Sequence, residues 1–185
     1  MRCISLLLVI VALSGLTGCQ GPAANLKPVE VFIDGDGEFP AFLVGTWKAY
    51  KLPWEIVFEE DGTISSAVIN MGRQRIIPGQ IKTIPLREGG EGVYEPGQWL
   101  VRYVPDTREL MVDIVIDHMR MEKSGQIIEG KAADTFIGTI SEDGRSWTAD
   151  WDTFYDYTAY TPEPTKLTSG PDRDSVVRII FLKDK

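Results

Sequence analysis

The feature that most constrains the fold is a series of three long segments separated by tight-turn sequences. Asp-Gly and Ser-Gly pairs supply the positive φ that tight hairpins need. The turn sequences are Asp61-Gly62, Pro105-Asp106, Ser124-Gly125 and Asp143-Gly144. The segments that follow the last three turns are Glu109–Glu122, Gln126–Ser141 and Arg145–Tyr160. Long strands joined by tight turns predict an antiparallel meander.

Side chains in these segments alternate with a period of two. In the first segment the residues of one face are Leu110, Val112, Ile114 and Ile116, with Asp113 and Asp117 opposite. In the third the shared face is Trp147, Ala149, Trp151, Thr153, Tyr155 and Tyr157, opposite Asp150, Asp152, Phe154 and Asp156. This alternation is typical of half-buried strands. No window of the sequence predicts an amphipathic helix.

The strand count predicts the architecture. Further strands are expected around Trp47, Ile56, Ile64–Ile69, Ile81–Leu86, Trp99–Val104 and Val176–Leu182. The fold class is therefore all-β, an antiparallel up-and-down meander closed into a barrel of about eight or nine strands, because closure removes exposed edges. A two-sheet β-sandwich is the alternative.

The N-terminus has the pattern of an export signal. Arg2 precedes an apolar run from Ile4 to Leu13, which is shorter than the roughly 20 residues a membrane-spanning helix needs. Leu16-Thr17-Gly18-Cys19 resembles the lipobox of bacterial lipoproteins. The resemblance implies cleavage before Cys19, attachment of acyl chains such as palmitate to that cysteine, and anchoring in a membrane. An ordinary signal peptide with a chance cysteine is the alternative.

These patterns divide the chain into a signal peptide (1–18), a lipidated cysteine with its tether (19–41) and a β-barrel domain (42–185). Cys3 would leave with the signal, so Cys19 is expected to be an anchor and no disulfide is expected. Gln20 follows Cys19 where an inner-membrane retention aspartate would stand, which predicts the outer membrane of the cell envelope if the source is Gram-negative. With 27 acidic against 19 basic side chains, the chain is a poor match for nucleic acid.

A second resemblance lies at the start of the domain. Gly45-Thr46-Trp47 resembles the Gly-x-Trp motif that opens the barrel of lipocalins and lipocalin-like (calycin-type) proteins. In that family the tryptophan plugs one barrel end and an arginine of the last strand stacks on it, which implies that role for Arg178. Residues 156–160 resemble the family's Thr-Asp-Tyr-x-x-Tyr motif, with Tyr155 in place of the threonine.

The sequence offers few catalytic groups. Its single histidine, His118, continues the apolar face that begins at Leu110, and a lone histidine does not make a metal site. Asp34, Asp36 and Glu38 resemble half of a calcium loop, but no distal glutamate completes it, which favours a solvated turn. Asp150, Asp152 and Asp156 are expected to form an exposed acidic face. We therefore predict no catalytic residues, metal or cofactor.

The aromatic face of the third segment is the best candidate for a binding site. Flat rings with polar handles bind sugars or apolar ligands when they line a barrel, or they fill it as core. The predicted ligand-binding residues are Trp147, Trp151, Tyr155, Tyr157 and His118. The sequence thus favours a membrane-anchored binding protein for a small apolar or aromatic-stacking ligand. The alternative is a packed barrel that binds another envelope protein or inhibits an enzyme.

Overall fold

The fold is all-β, as the sequence predicts. The computed structural model describes residues 27–35, 37–69, 73–86, 89–123, 125–161, 163–169 and 176–184. These residues form thirteen strands and no α-helix. The strands are β1 (Val29–Ile33), β2 (Gly45–Ala49), β3 (Glu55–Phe58), β4 (Ile64–Ile69), β5 (Gln74–Ile76), β6 (Lys82–Pro85), β7 (Glu91–Pro96), β8 (Trp99–Val104), β9 (Glu109–Lys123), β10 (Gln126–Ile140), β11 (Ser146–Thr161), β12 (Glu163–Ser169) and β13 (Val177–Lys183).

Three long strands form the centre of the sheet and confirm the predicted meander. β9 and β10 have 15 residues each and β11 has 16, so each is about 50 Å long at the usual rise of a strand. Glycines take positive φ at the predicted turns, with φ 76° at Gly125 and 68° at Gly144. The Pro105-Asp106 turn ends on Arg108, which takes the left-handed conformation instead.

The two ends of the long strands have different neighbours. At one end, β8 and β1 continue the sheet beyond β9, and β13, β2, β3, β4 and β5 continue it beyond β11. We call this end the core part. At the other end, β7 and β6 lie beyond β9, and β12 lies beyond β11. We call this end, with its halves of β9, β10 and β11, the extension.

The sheet is open in the described part of the chain. The path of paired strands ends at β1 and at β5, and no ladder joins these two strands. β1 is parallel to β8, whereas all other pairs are antiparallel. A groove of about 340 Å³, lined by Val29, Ile64 and Pro78 among others, lies between β1 and β4. The expected closed barrel is thus not shown, and an open sheet or a sandwich fits the pairing.

β1 also places a strand inside the segment predicted as tether. Val29 is buried and pairs with Trp99 of β8, and Phe39 is buried as well. The described folded unit therefore begins before residue 42. The early start has a physical reason: Val29 and Phe39 both contribute to the same hydrophobic core as the later strands.

Large aromatic side chains fill the core part. The rings of Trp147 and Phe181 stack at 4.8 Å, and Trp54 meets Phe136 edge-on at 4.9 Å. Trp47 is fully buried, and its indole N–H donates to the backbone oxygen of Leu43 at 2.8 Å. Such ring pairs add to the free energy gained from burial alone.

An irregularity in β9 changes which side chains face inward. Leu110, Val112, Ile114 and Ile116 are buried, as the alternation predicts. Between Ile116 and Met119 the register with both β10 and β7 shifts. An extra residue in one strand inverts the alternation beyond it. Met119 is therefore buried, and His118 lies on the outer face.

Replacement of Gly138 tests how closely the backbones of β10 and β11 approach each other. A Cβ at this position would collide with the backbone oxygen of Thr148 and lie 2.5 Å from the Cα of Ala149. Because backbone cannot move aside as a flexible side chain can, Gly138→Ala should lower the free energy of unfolding by about 1–3 kcal/mol. Urea denaturation measures this change. The matched control is Gly37→Ala, whose added Cβ has its nearest neighbour at 3.8 Å; equal stability losses in both variants would contradict the expected collision.

Candidate functional site

The candidate site lies on the inner face of the extension. Trp151, Tyr155 and Tyr157 project from the same face of β11, as the alternation predicts. On β10, Asp134 is opposite Thr153, and Ala132 is opposite Tyr155. The antiparallel register thus brings one carboxylate among three aromatic side chains.

Asp134 is the central polar group of this site. The indole N–H of Trp151 donates to its Oδ1 at 2.9 Å, and the Thr153 side chain donates a second hydrogen bond. Burial raises the pKa of Asp134 to about 6, although both hydrogen bonds oppose that shift. The carboxylate therefore changes its protonation state just below neutral pH, which is unusual for an aspartate.

Tyrosines lie near this carboxylate. The rings of Tyr155 and Tyr157 stack at 5.1 Å with an angle of 13° between their planes. Burial raises the pKa of Tyr157, and the nearby charge of Asp134 raises it further. Burial also raises the pKa of Tyr94 on β7, which lies near Tyr157. The phenols of Tyr94 and Tyr157 are therefore expected to stay protonated at neutral pH.

The site is open on one side. Val177 of β13 is paired with Trp151 and remains 45% exposed, and Leu167 of β12, paired with Tyr157, remains 42% exposed. Both residues are aligned with inward-facing residues of β11. Their exposure shows that solvent reaches the inner face of the sheet next to the aromatic cluster.

The structure separates the five residues predicted to bind ligand. Trp151, Tyr155 and Tyr157 lie together around Asp134. Trp147 shares their face but is fully buried against Phe136 and Phe181, so it belongs to the core.

His118 departs from its predicted position. The shift in β9 turns it to the outer face, where its Nδ1 lies 3.4 Å from Oε1 of Glu95. Period-two counting from Leu110 fails at this point because the strand contains one extra residue.

Arg178 does not stack on Trp47. Its side chain is 72% exposed, and its Nε lies 3.0 Å from Oδ1 of Asp150 on the outer face. Trp47 is buried, and its indole N–H donates a hydrogen bond to the Leu43 carbonyl. The arginine that covers an aromatic ring in the core part is instead Arg108, over the ring of Phe42 at 5.5 Å.

Three members of the acidic clusters, Asp34, Asp150 and Asp156, form ion pairs, whereas Asp152 has a buried Oδ1 without a hydrogen-bond partner among the described residues. Asp34 pairs with Arg102, and Asp36 lies outside the described residues. Of the second cluster, Asp156 pairs with Lys166 on the outer face. The residues that the structure describes contain no group of three His, Cys, Asp or Glu side chains able to hold a metal ion. Cys19, the predicted lipidation residue, and the predicted signal peptide also lie outside the described residues.

Two members of the site were missed from sequence. Tyr94 is brought to it by β7, whose pairing with the far half of β9 has no local signal. Asp134, by contrast, did have a local signal in the sequence. It stands in the inward phase of β10 between Ala132 and Phe136, where a charged side chain is out of place in a half-buried strand.

Comparisons with known proteins give no family assignment. No family model matches the chain, and neither curated proteins nor solved structures gave a significant match.

Asp134→Asn tests the raised pKa. The folded-state pKa of about 6 lies above the ordinary value of 3.8, so folding favours the protonated form. The Asp134 carboxyl should therefore contribute a loss of about 2–3 kcal/mol of unfolding free energy as the pH rises from 4 to 7, seen as the difference between wild type and variant. Asparagine keeps the shape without this penalty, so the variant should gain stability relative to the wild type over that range. Urea denaturation at both pH values measures the difference.

The control for this experiment is Asp150→Asn on the outer face of β11. It removes an exposed ion pair with Arg178, which solvent screens strongly, and should leave the difference between pH 4 and pH 7 as in the wild type. If Asp134→Asn and the wild type differ by the same amount at pH 4 and pH 7, the carboxylate does not titrate as described.

Proposed function

We propose that this protein is a lipid-anchored lipoprotein of the cell envelope that binds a small apolar or aromatic-stacking ligand on the inner face of the extension. The binding residues are Trp151, Tyr155 and Tyr157, grouped around Asp134. The role proposed for the site is binding and not catalysis.

The proposal is supported by the change in side-chain burial along one face of β11. Near the start of the strand, Trp147 is fully buried and stacked on Phe181. Further along the same face, Trp151 and Tyr155 are only half-buried, and the neighbouring Val177 is exposed. Aromatic rings that are held in place but not covered are typical of binding surfaces.

The phenols of the site do not favour catalysis. A general base must accept a proton near the working pH. Burial raises the pKa of Tyr94 and of Tyr157, so these phenols do not serve as bases. Asp134 itself already accepts hydrogen bonds from Trp151 and Thr153.

The proposed anchor rests on the sequence around Cys19. No helix in the described ranges is long and apolar enough to cross a membrane. The eight residues from Cys19 to Leu26 would span at most about 28 Å when fully extended. The folded part would then stay close to the membrane surface, in the outer membrane if the source is Gram-negative.

We also propose a lipocalin-like relationship for the core part. Gly45 has φ 114°, and Trp47, two residues later in β2, is buried, as the Gly-x-Trp resemblance implies. Closure of the sheet into a barrel would require β1 and β5 to meet across the groove between Val29 and Pro78.

The outer face favours a second candidate function, the binding of another envelope protein. Ile137 of β10 and Ile180 and Leu182 of β13 are each more than 40% exposed. Ile180 pairs with Thr148, whose other neighbour is Thr139, so these side chains share one surface of the sheet, with β11 between the two strands. Clustered exposed apolar side chains often mark interaction surfaces.

Native mass spectrometry after mild purification tests the ligand proposal. The wild type should retain an added mass, because a ligand stacked on the rings dissociates slowly. Trp151→Ala and Tyr155→Ala should each weaken ligand retention about fivefold, since loss of one aromatic contact is worth about 1 kcal/mol. The matched control is Phe154→Ala, on the opposite face of the same strand and 39% exposed. Retention that depends on Phe154 and not on Trp151 would place the ligand elsewhere.

Cys19→Ala tests the anchor. Without the thiol no lipid can be attached, so the variant should move from the membrane fraction to the soluble fraction. Its thermal unfolding should match that of the wild type, because Cys19 precedes the first strand of the sheet. A variant that stays with the membranes would show that lipid on Cys19 is not what holds the protein there.

A further inference from the structure

We propose that the ligand of the extension is a small organic cation, whose ammonium group binds Asp134 and the surrounding aromatic rings. This inference rests on the site given under Proposed function and names its ligand class. It depends on the charge, the hydrogen bonds and the ring arrangement around Asp134.

Asp134 has no positively charged partner among the described residues. The hydrogen-bond donors to Asp134 are the neutral indole of Trp151 and the neutral hydroxyl of Thr153. Within the part of the chain that the structure describes, no Lys, Arg or His side chain forms an ion pair with this carboxylate. Asp150 and Asp156, by contrast, each have a basic partner. A half-buried carboxylate whose hydrogen-bond donors are all neutral can gain from the charge of a cationic ligand.

Three aromatic rings lie near Asp134. Tyr155 and Tyr157 stack on each other beside Asp134, and Tyr157 senses the charge of that carboxylate. Trp151 directs the N–H edge of its ring to the same carboxylate. Aromatic faces near a carboxylate attract ammonium groups through the cation–π interaction, and a cation there gains from both contacts.

The charge on the neighbouring strands also bears on the ligand of Asp134. β9 contributes the neutral Ile114, opposite Asp134 in the register, and β7 contributes the phenol of Tyr94. Lys82 of β6, paired with Tyr94, donates its ammonium hydrogen to the backbone oxygen of Arg75 at 2.9 Å. Among these phenols, Tyr157 feels the charge of Asp134, and Tyr94 and Tyr155 in turn lie near Tyr157.

This charge distribution selects among ligands. An anion would be repelled by the carboxylate, and a neutral apolar ligand would bury it further without compensation. A cation neutralises it and keeps it ionised. Binding should therefore weaken as the pH falls through about 6, where Asp134 becomes protonated, by up to about tenfold per pH unit.

The experiment compares choline with its neutral isostere, in which a tert-butyl group replaces the trimethylammonium group. The two have the same shape and differ in charge. Ligand-observed NMR titration of the full chain at neutral pH should give an affinity for choline about tenfold higher than for the isostere, in the range of a desolvated cation–π and ion-pair contact. In Asp134→Asn this preference should disappear and the affinity for choline should no longer depend on pH. Asp150→Asn, on the outer face, should retain both properties.

Equal binding of choline and the isostere, or no binding of choline at high millimolar concentration, would overturn the cation assignment. A preference for choline that survives in Asp134→Asn would overturn the role of this carboxylate. These outcomes are separate from failure of the proposed function. A ligand mass retained through Trp151 in native mass spectrometry would still support a binding site for a neutral aromatic-stacking compound.

Discussion

The pairing of β10 with both of its neighbours is the interaction on which the rest of the structure depends. β10 is paired with β9 from Gln126 to Thr139 and with β11 from Ile127 to Ile140. These ladders satisfy the backbone hydrogen bonds of a central strand almost along its whole length. They also fix the register, and a shift of one residue would exchange the inner and outer faces of the sheet. The aromatic core and the exposed rings of the extension both follow from that register.

The same register explains why two environments exist on one strand face. In the core part, Phe136, Trp147 and Phe181 pack against one another on the inner face. Further along the same face, Trp151 beside β13 and Tyr155 beside β12 are only half-buried. Asp134 lies where the two environments meet. Its raised pKa expresses the free-energy cost of holding a carboxylate at that boundary.

Local patterns predicted much of the strand content and part of the site. The segments predicted from the turn sequences agree with β9, β10 and β11 to within a few residues. The shared face of Trp151, Tyr155 and Tyr157 was also predicted, because alternation depends only on neighbouring residues. His118 and Arg178 were placed incorrectly for different reasons. An irregularity in the ladder moved His118 to the outer face, and an ion pair with Asp150 holds Arg178 there.

The sequence by itself determined the all-β class, the three long strands and the aromatic face, because each follows from periodicity and turn residues along a continuous segment. Only the tertiary structure decided three other features: the parallel position of β1 beside β8, the open edges at β1 and β5, and the approach of Tyr94 to Tyr157. Each of these depends on strands far apart in the chain. Their pairing is set by how well whole faces pack together, which no local pattern records.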